Sequence, residues 1–168
     1  PDVKVYDVKD ADGKHVAVFM TDYFPRPEKR QGAWMEELKT SWVNPDGTVE
    51  RPIVYNVGNF SKPTADAPSL LTIDEVQTMF HEFGHGLHGM LSKVRLKSQS
   101  GTSVDRDFVE FPSQFHEHWA FQPELLDELI KMPLHRARFC RLFSLSKDVC
   151  GGCLWHHLLE HRKENIGH

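Results

Sequence analysis

The sequence predicts an α+β fold: a small antiparallel sheet first, then helices. Three observations carry that prediction. Alternating, β-rich runs separated by turn residues fill the chain to about residue 60. From Leu71 to Leu91 the apolar residues recur at helical spacing instead. Beyond them Pro123 opens a segment with Leu125, Leu126, Leu129 and Ile130 as one buried side.

Taken in order, Val3 to Val8 alternates apolar and polar, Asp10-Ala-Asp-Gly13 is turn chemistry, and His15 to Asp22 resumes as a strand. These form a hairpin. Phe24-Pro-Arg-Pro-Glu-Lys-Arg30 is a loop by its two prolines. Trp34, Leu38 and Trp42 fit a short helix face, but a strand over Gly32 to Val43 is preferred. Asn44-Pro-Asp-Gly47 turns the chain after it, and Ile53-Val-Tyr-Asn-Val57 is again β-rich. Ser61 to Ser69 is a proline-containing connection.

The helix expected over Leu71–Leu91 starts on good signals. Thr72 is a fitting N-cap, Glu75 completes a capping box, and Asp74 places negative charge in the first turn. Val76, Phe80, Phe83, Leu87 and Met90 make its apolar face. Gly84, Gly86 and Gly89 lie inside it, each costing roughly 0.5–1 kcal/mol against alanine. Close approach of something to the helix backbone is the expected reason. Ser92 to Thr102 then reads as a loop. Pro112 marks a first turn or kink in the Asp107–Gln122 segment, and Pro133 ends the next helix. Leu134 to His168 reads as two helical pieces around a turn at Asp148 to Cys153.

Composition narrows the function classes. At 168 residues with 39% hydrophobic and 26% charged residues, the chain is an ordinary globular sequence. A net charge of −4 without a basic run gives no footing for nucleic acid or an anionic membrane. No apolar stretch is long enough to span a bilayer, and the N-terminus is no signal peptide. Three cysteines make no disulfide framework, so a cytoplasmic location is expected. The first residue is proline, and a piece of a longer chain is the expectation.

Chemistry concentrates in His81-Glu82-Phe-Gly-His85. The two histidines are four residues apart, about 400° of helical rotation, so both imidazoles point one way. Two imidazoles on one metal beside a carboxylate that takes a proton from water is the chemistry of an HExxH helix. A catalytic zinc takes three protein ligands and keeps a position for water. His88 lies on the same face but about 10 Å along the axis, too far for one ion. Asp107 to Trp119 is the expected supplier, offering Glu110, His116, Glu117 and His118, among which spacing does not choose. Cys150-Gly-Gly-Cys153, near His156, His157 and His161, lacks the βαβ context of a redox motif and is weak as a second metal site.

His81-Glu-Phe-Gly-His-Gly-Leu-His88, followed by Arg106-Asp-Phe-Val-Glu-Phe-Pro-Ser-Gln114 and Glu117-His-Trp119, resembles the thimet oligopeptidase family of zinc peptidases. The similarity is greatest to its bacterial peptidyl-dipeptidase and oligopeptidase A branch. Asp22-Tyr-Phe, Gly32-Ala-Trp-Met35 and Asn59-Phe-Ser-Lys-Pro63 resemble the same family's upstream strands. The resemblance implies one Zn2+ held by His81, His85 and Glu110, with Glu82 as general base. Glu117 becomes a carboxylate supporting a ligating histidine, a role such histidines commonly require. His116 and His118 are read as hydrogen-bonded or exposed. Short peptides are the implied partners, and zincin-type helices the implied setting.

Residues 1–130 are thus expected to form a catalytic core fragment, β-rich over 1–60 and helical over 70–130. Residues 131–168 form a helical tail without family resemblance. The family's Gly/Tyr-rich loop and oxyanion-stabilising histidine are not recognisable in the chain. The alternative to an oligopeptidase or peptidyl-dipeptidase is therefore a zinc-binding but catalytically silent fragment.

Overall fold

The computed structural model describes residues 2–66, 68–131 and 158–160. Strands β1 (Lys4–Lys9) and β2 (His15–Asp22) form the expected antiparallel hairpin. Its turn is tied by the Asp10 carboxylate, which accepts the Asp12 and Lys14 N–H groups at 3.1 and 2.9 Å. Strand β3 (Trp34–Lys39) follows, then the short pair β4 (Trp42–Val43) and β5 (Val49–Glu50), and finally β6 (Ile53–Val57). The expected single strand over Gly32–Val43 is therefore two. The chain breaks at Thr40-Ser41 so that β4 can turn back onto β5. Gly47, at φ +85°, closes that turn with its N–H on the Asn44 carbonyl at 2.9 Å.

The sheet corrects one expectation. Its order is β3-β6-β2-β1, and β6 pairs parallel to β2 while β3 pairs antiparallel to β6. It is mixed, not antiparallel. The physical reason lies in the long excursion through β3, β4 and β5, which brings the chain back to enter β6 in the direction of β2. The α+β class stands. Leu158–Glu160 pairs antiparallel with β1 as a fifth strand, β7, where a helix was expected. The rest of the expected tail helices, and the Cys150–Cys153 motif, lie outside the described residues.

Helix α1 (Ile73–Leu91) crosses the inner face of the sheet. Thr72 caps it: the hydroxyl accepts the Glu75 N–H at 3.2 Å, and the Glu75 carboxylate accepts the Thr72 N–H at 2.8 Å. Phe83 drives edge-on into Phe19 of β2, with centroids 5.3 Å apart, inside a core of Tyr6, Val8, Ala17, Val54 and Met90. Burying each such aromatic contributes on the order of 1.5–3 kcal/mol. A second cluster, Val76, Phe80, Ala120 and Leu125, fastens α1 to the 3-10 turn His118–Phe121, which follows helix α2 (Phe111–Glu117), and to helix α3 (Pro123–Lys131). Between α1 and α2 the expected loop contains one 3-10 turn at Lys97–Gln99.

The connection feeding β3 is pinned from below. The Lys29 ammonium, 4% exposed, donates to the Asp22, Phe24 and Gly58 carbonyls at 2.9, 2.9 and 2.6 Å and lies 3.2 Å from the Asp22 carboxylate. Such saturation is what lets an ammonium stay buried. The Asn59 amide donates to the Arg30 and Gly32 carbonyls at 2.9 and 2.8 Å. Strand β3, at the sheet edge, is thereby set beside α1. Among the described residues no helix is long and apolar enough to cross a membrane.

Candidate metal centre

His81 and His85 sit one turn apart on α1, their rings 4.9 Å apart. Glu110 is the N-cap of α2 rather than a residue inside it, and Pro112 follows in that helix's first turn. The Ser113 hydroxyl grips Glu110, donating towards its carbonyl at 2.9 Å and its Oε2 at 2.8 Å. That oxygen stands 3.2 Å from His81 Nε2 and 3.1 Å from His85 Nε2. One donor atom from each of the three residues lies within 4.8 Å of the others. Among the described residues this is the one group of three or more such side chains that could hold a metal ion.

What brings α2 so close is Gly84. A β-carbon there would stand 2.7 Å from Ser113 Cα and 2.8 Å from the Pro112 carbonyl oxygen. Backbone cannot yield as a side chain can, so only glycine allows the Glu110 turn to lie against α1. The expected close approach to the helix glycines is real, but the protein's own elements make it. Gly86 and Gly89 face the sheet residues Asn56, Val54 and Glu37.

A carboxylate partner fixes which way the His81 imidazole faces. His81 Nδ1 lies 2.6 Å from Glu117 Oε1, while the Gln77 amide donates to Glu117 Oε2 at 2.6 Å. An ionised carboxylate only accepts, so His81 Nδ1 carries the hydrogen of that contact, and in this tautomer Nε2 is the nitrogen left to ligate. Burial pushes the Glu117 carboxyl up, but its bonds from His81 and Gln77 leave it below the usual range. Glu110 is likewise held low, first by the Ser113 hydroxyl and, against the opposing effect of burial, by the nearby histidines. Burial pushes the His85 imidazole down. Two imidazole nitrogens thus converge on one carboxylate oxygen, with His85 Nε2 hydrogen-bonded to Glu110. Two nitrogens and a carboxylate are also a donor set suited to zinc, so the residues present fit such an ion.

Glu82 comes next on the helix and turns toward the sheet. It is 8% exposed, and burial raises its carboxyl above the ordinary range. His81 and a bond from the Met35 N–H of β3 oppose that rise, while Glu110 adds to it. His88 is not part of the donor group; its ring stands edge-on to Phe108 at 6.3 Å. His116 is 7% exposed and donates Nδ1–H to the Phe80 carbonyl at 2.7 Å. His118 has its ring edge-on to Phe115 at 6.4 Å. Sequence reasoning had not picked out Ser113 or Gln77. Ser113, three residues after Glu110 at a helix start, was the findable one.

Fold and site together define an α+β domain that presents a two-histidine, one-carboxylate donor group between two helices, with a second carboxylate buried beside it. Comparison with known proteins then places the chain: residues 1–138 match the model of peptidase family M3, and the chain belongs to that family. Dipeptidyl carboxypeptidase of Salmonella typhimurium is 42% identical over 178 aligned positions, covering 95% of this chain and 26% of that protein. Its Escherichia coli counterpart is 47% identical over 126 positions, covering 74% of this chain and 18% of that protein. Oligopeptidase A of Escherichia coli is 42% identical over 127 positions, 75% of this chain and 19% of that protein. The chain spans about a quarter or less of the length of these relatives.

Proposed function

We propose that the chain is the zinc-binding catalytic part of a peptidase that hydrolyses short peptides, as an oligopeptidase or peptidyl-dipeptidase of the cytoplasm. The observation that carries this reading is the convergence of His81, His85 and Glu110 within 4.8 Å, with Glu82 the next residue on the same helix. His81, His85 and Glu110 would hold one ion. Bound there, zinc supplies Lewis acidity, polarising a scissile carbonyl and bringing the pKa of water down towards about 7.

The chain's own residues do the rest. Glu82, its basicity raised by burial, accepts a proton from the attacking water and returns it to the departing amine nitrogen. Glu117 fixes the His81 tautomer and ring plane, and Ser113 fixes the Glu110 carboxylate. Strand β3 is an end strand of its sheet and bonds Glu82 through Met35, so an extended peptide added along that edge would pass the base.

The test is Glu82→Gln. The variant keeps stoichiometric zinc and loses peptide hydrolysis by a factor of at least about 100; undiminished turnover would refute the assignment. A second reading, a zinc-binding piece without turnover of its own, is favoured by the 26% or smaller share of the relatives' length that the chain spans. Assay of the 168-residue chain on short peptides separates the two.

A further inference from the structure

Next to the candidate metal centre, the N-terminal half of α1 and the last residue of α2 leave an open cavity of about 390 Å³. Asp74, Gln77, Thr78, His81 and Glu117 line it. The four residues from α1 are spaced by three and four, so they form one continuous strip of that helix, with Glu117 facing them from α2. His81 belongs both to this wall and to the donor group. A group seated in the cavity therefore lies against the metal centre itself.

The hydrogen-bonding inventory of the wall decides what it can take. The Gln77 amide donates to Glu117 Oε2 and His81 Nδ1–H donates to Glu117 Oε1, each at 2.6 Å. The Thr78 hydroxyl donates to the Asp74 backbone carbonyl at 2.8 Å. Of the donors on the wall, one Gln77 N–H is left. Against it stand the Gln77 side-chain carbonyl, the Thr78 oxygen and the remaining lone pairs of two carboxylates. No lysine or arginine lines the cavity, and the exposed Asp74 carboxylate has neither an ion pair nor a hydrogen bond among the described residues. The helix dipole favours an acid in the first turn, which accounts for Asp74 alone. It does not account for a wall that offers acceptors all the way from Asp74 to Glu117.

We infer that this cavity is the subsite for a cationic group of the peptide substrate, an ammonium or a guanidinium, with Asp74 as its charged recognition residue. Such groups donate three or five hydrogen bonds and accept none, which is the complement of this wall. An apolar group would strip water from acceptors without replacing it, and an acidic group would meet like charge. A lysine or arginine side chain and the free α-amino end of a peptide share the required chemistry. Because Asp74 stands at the exposed rim, the attraction is modest and is screened by salt. Assignment to a substrate rests on the peptidase reading of the site; the preference of the cavity for cations does not.

NMR titration of the zinc-free 168-residue chain tests binding without reference to turnover. The probes are a blocked short peptide containing one arginine, the same peptide with citrulline in its place, and the citrulline peptide with its α-amino end free. At least one cationic probe should shift the Gln77 side-chain amide and the Asp74 backbone signals, and the blocked citrulline peptide should not. Which cationic probe acts identifies the source of the charge. The response should fade as salt is raised and disappear in Asp74→Asn, which keeps the side chain's shape. Equal shifts from the neutral peptide, no shift from any probe, or a response that survives salt or Asp74→Asn overturns the inference. In the active protein, KM for the effective cationic peptide should be about fivefold below that of its neutral counterpart. Asp74→Asn should bring that ratio close to one, and a ratio already near one in the native protein rejects the subsite. Failure of the Glu82→Gln test with the probe response intact would reject the peptidase chemistry and leave the cation-binding cavity standing.

Discussion

His116 shows how burial decides a histidine's role at the residue scale. Its Nδ1–H donates to the Phe80 carbonyl, which favours the protonated ring, but the ring is buried 5.3 Å from the Phe80 ring and burial outweighs that bond. Burial lowers its pKa from 6.5 to about 4. The unfolded chain therefore binds a proton between those values that the folded chain refuses. The contribution to stability is whole above the unfolded pKa and is lost as pH falls towards the folded one, to a ceiling of roughly 3 kcal/mol. In urea unfolding, the stability lost between neutral pH and about pH 4.5 should shrink in His116→Gln, whose amide can make the same bond without titrating. Equal losses in both proteins would mean that other groups govern the acid limb. Glu117 is the counterpart at the metal side: with its 2.6 Å bond gone in Glu117→Ala, zinc affinity should fall about 10–100-fold by titration. An unchanged affinity would make the contact incidental. The HExxH pair was legible because helical period alone aligns residues four apart. The burial of His116 was not, because it depends on α2 folding back against Phe80.

Between elements the decisive contact is α1 against α2. Gly84 faces Ser113 Cα and the Pro112 carbonyl, so Gly84→Ala must push the Glu110 turn outward. Overpacking of this kind costs typically 1–3 kcal/mol, and here it also moves one of three donors. Both a lower Tm and a loss of zinc affinity should be measured in the same variant. A stable Gly84→Ala protein with native affinity would show that the turn can shift without penalty. This contact also marks the boundary of what sequence could reveal. Three glycines in a helix announced a close approach, yet not which surface approached. The capping box of α1 and the hairpin of β1 and β2 were readable because their bonds join residues near in sequence. The parallel pairing of β6 with β2 was not, since the intervening strands carry no signal of the direction in which the chain returns.

Across the whole molecule, the candidate donors come from two elements with a long connection between them, so metal binding and folding are linked. His81 and His85 belong to α1, Glu110 begins α2, and the unfolded chain cannot hold all three at 4.8 Å. An ion that binds only the folded state stabilises it by mass action, by about 2.7 kcal/mol when free metal is a hundredfold above Kd. For a chain of this size that amounts to a Tm rise of roughly 5–10 °C. Eleven histidines and three cysteines give the unfolded chain some zinc affinity of its own, which reduces the rise. His81→Ala provides the control: it keeps ten of those histidines and every cysteine but removes a donor from the folded site. The native chain should show a chelator-reversible, zinc-dependent rise in scanning calorimetry, and His81→Ala should show none. Equal shifts in the two proteins would place the metal elsewhere.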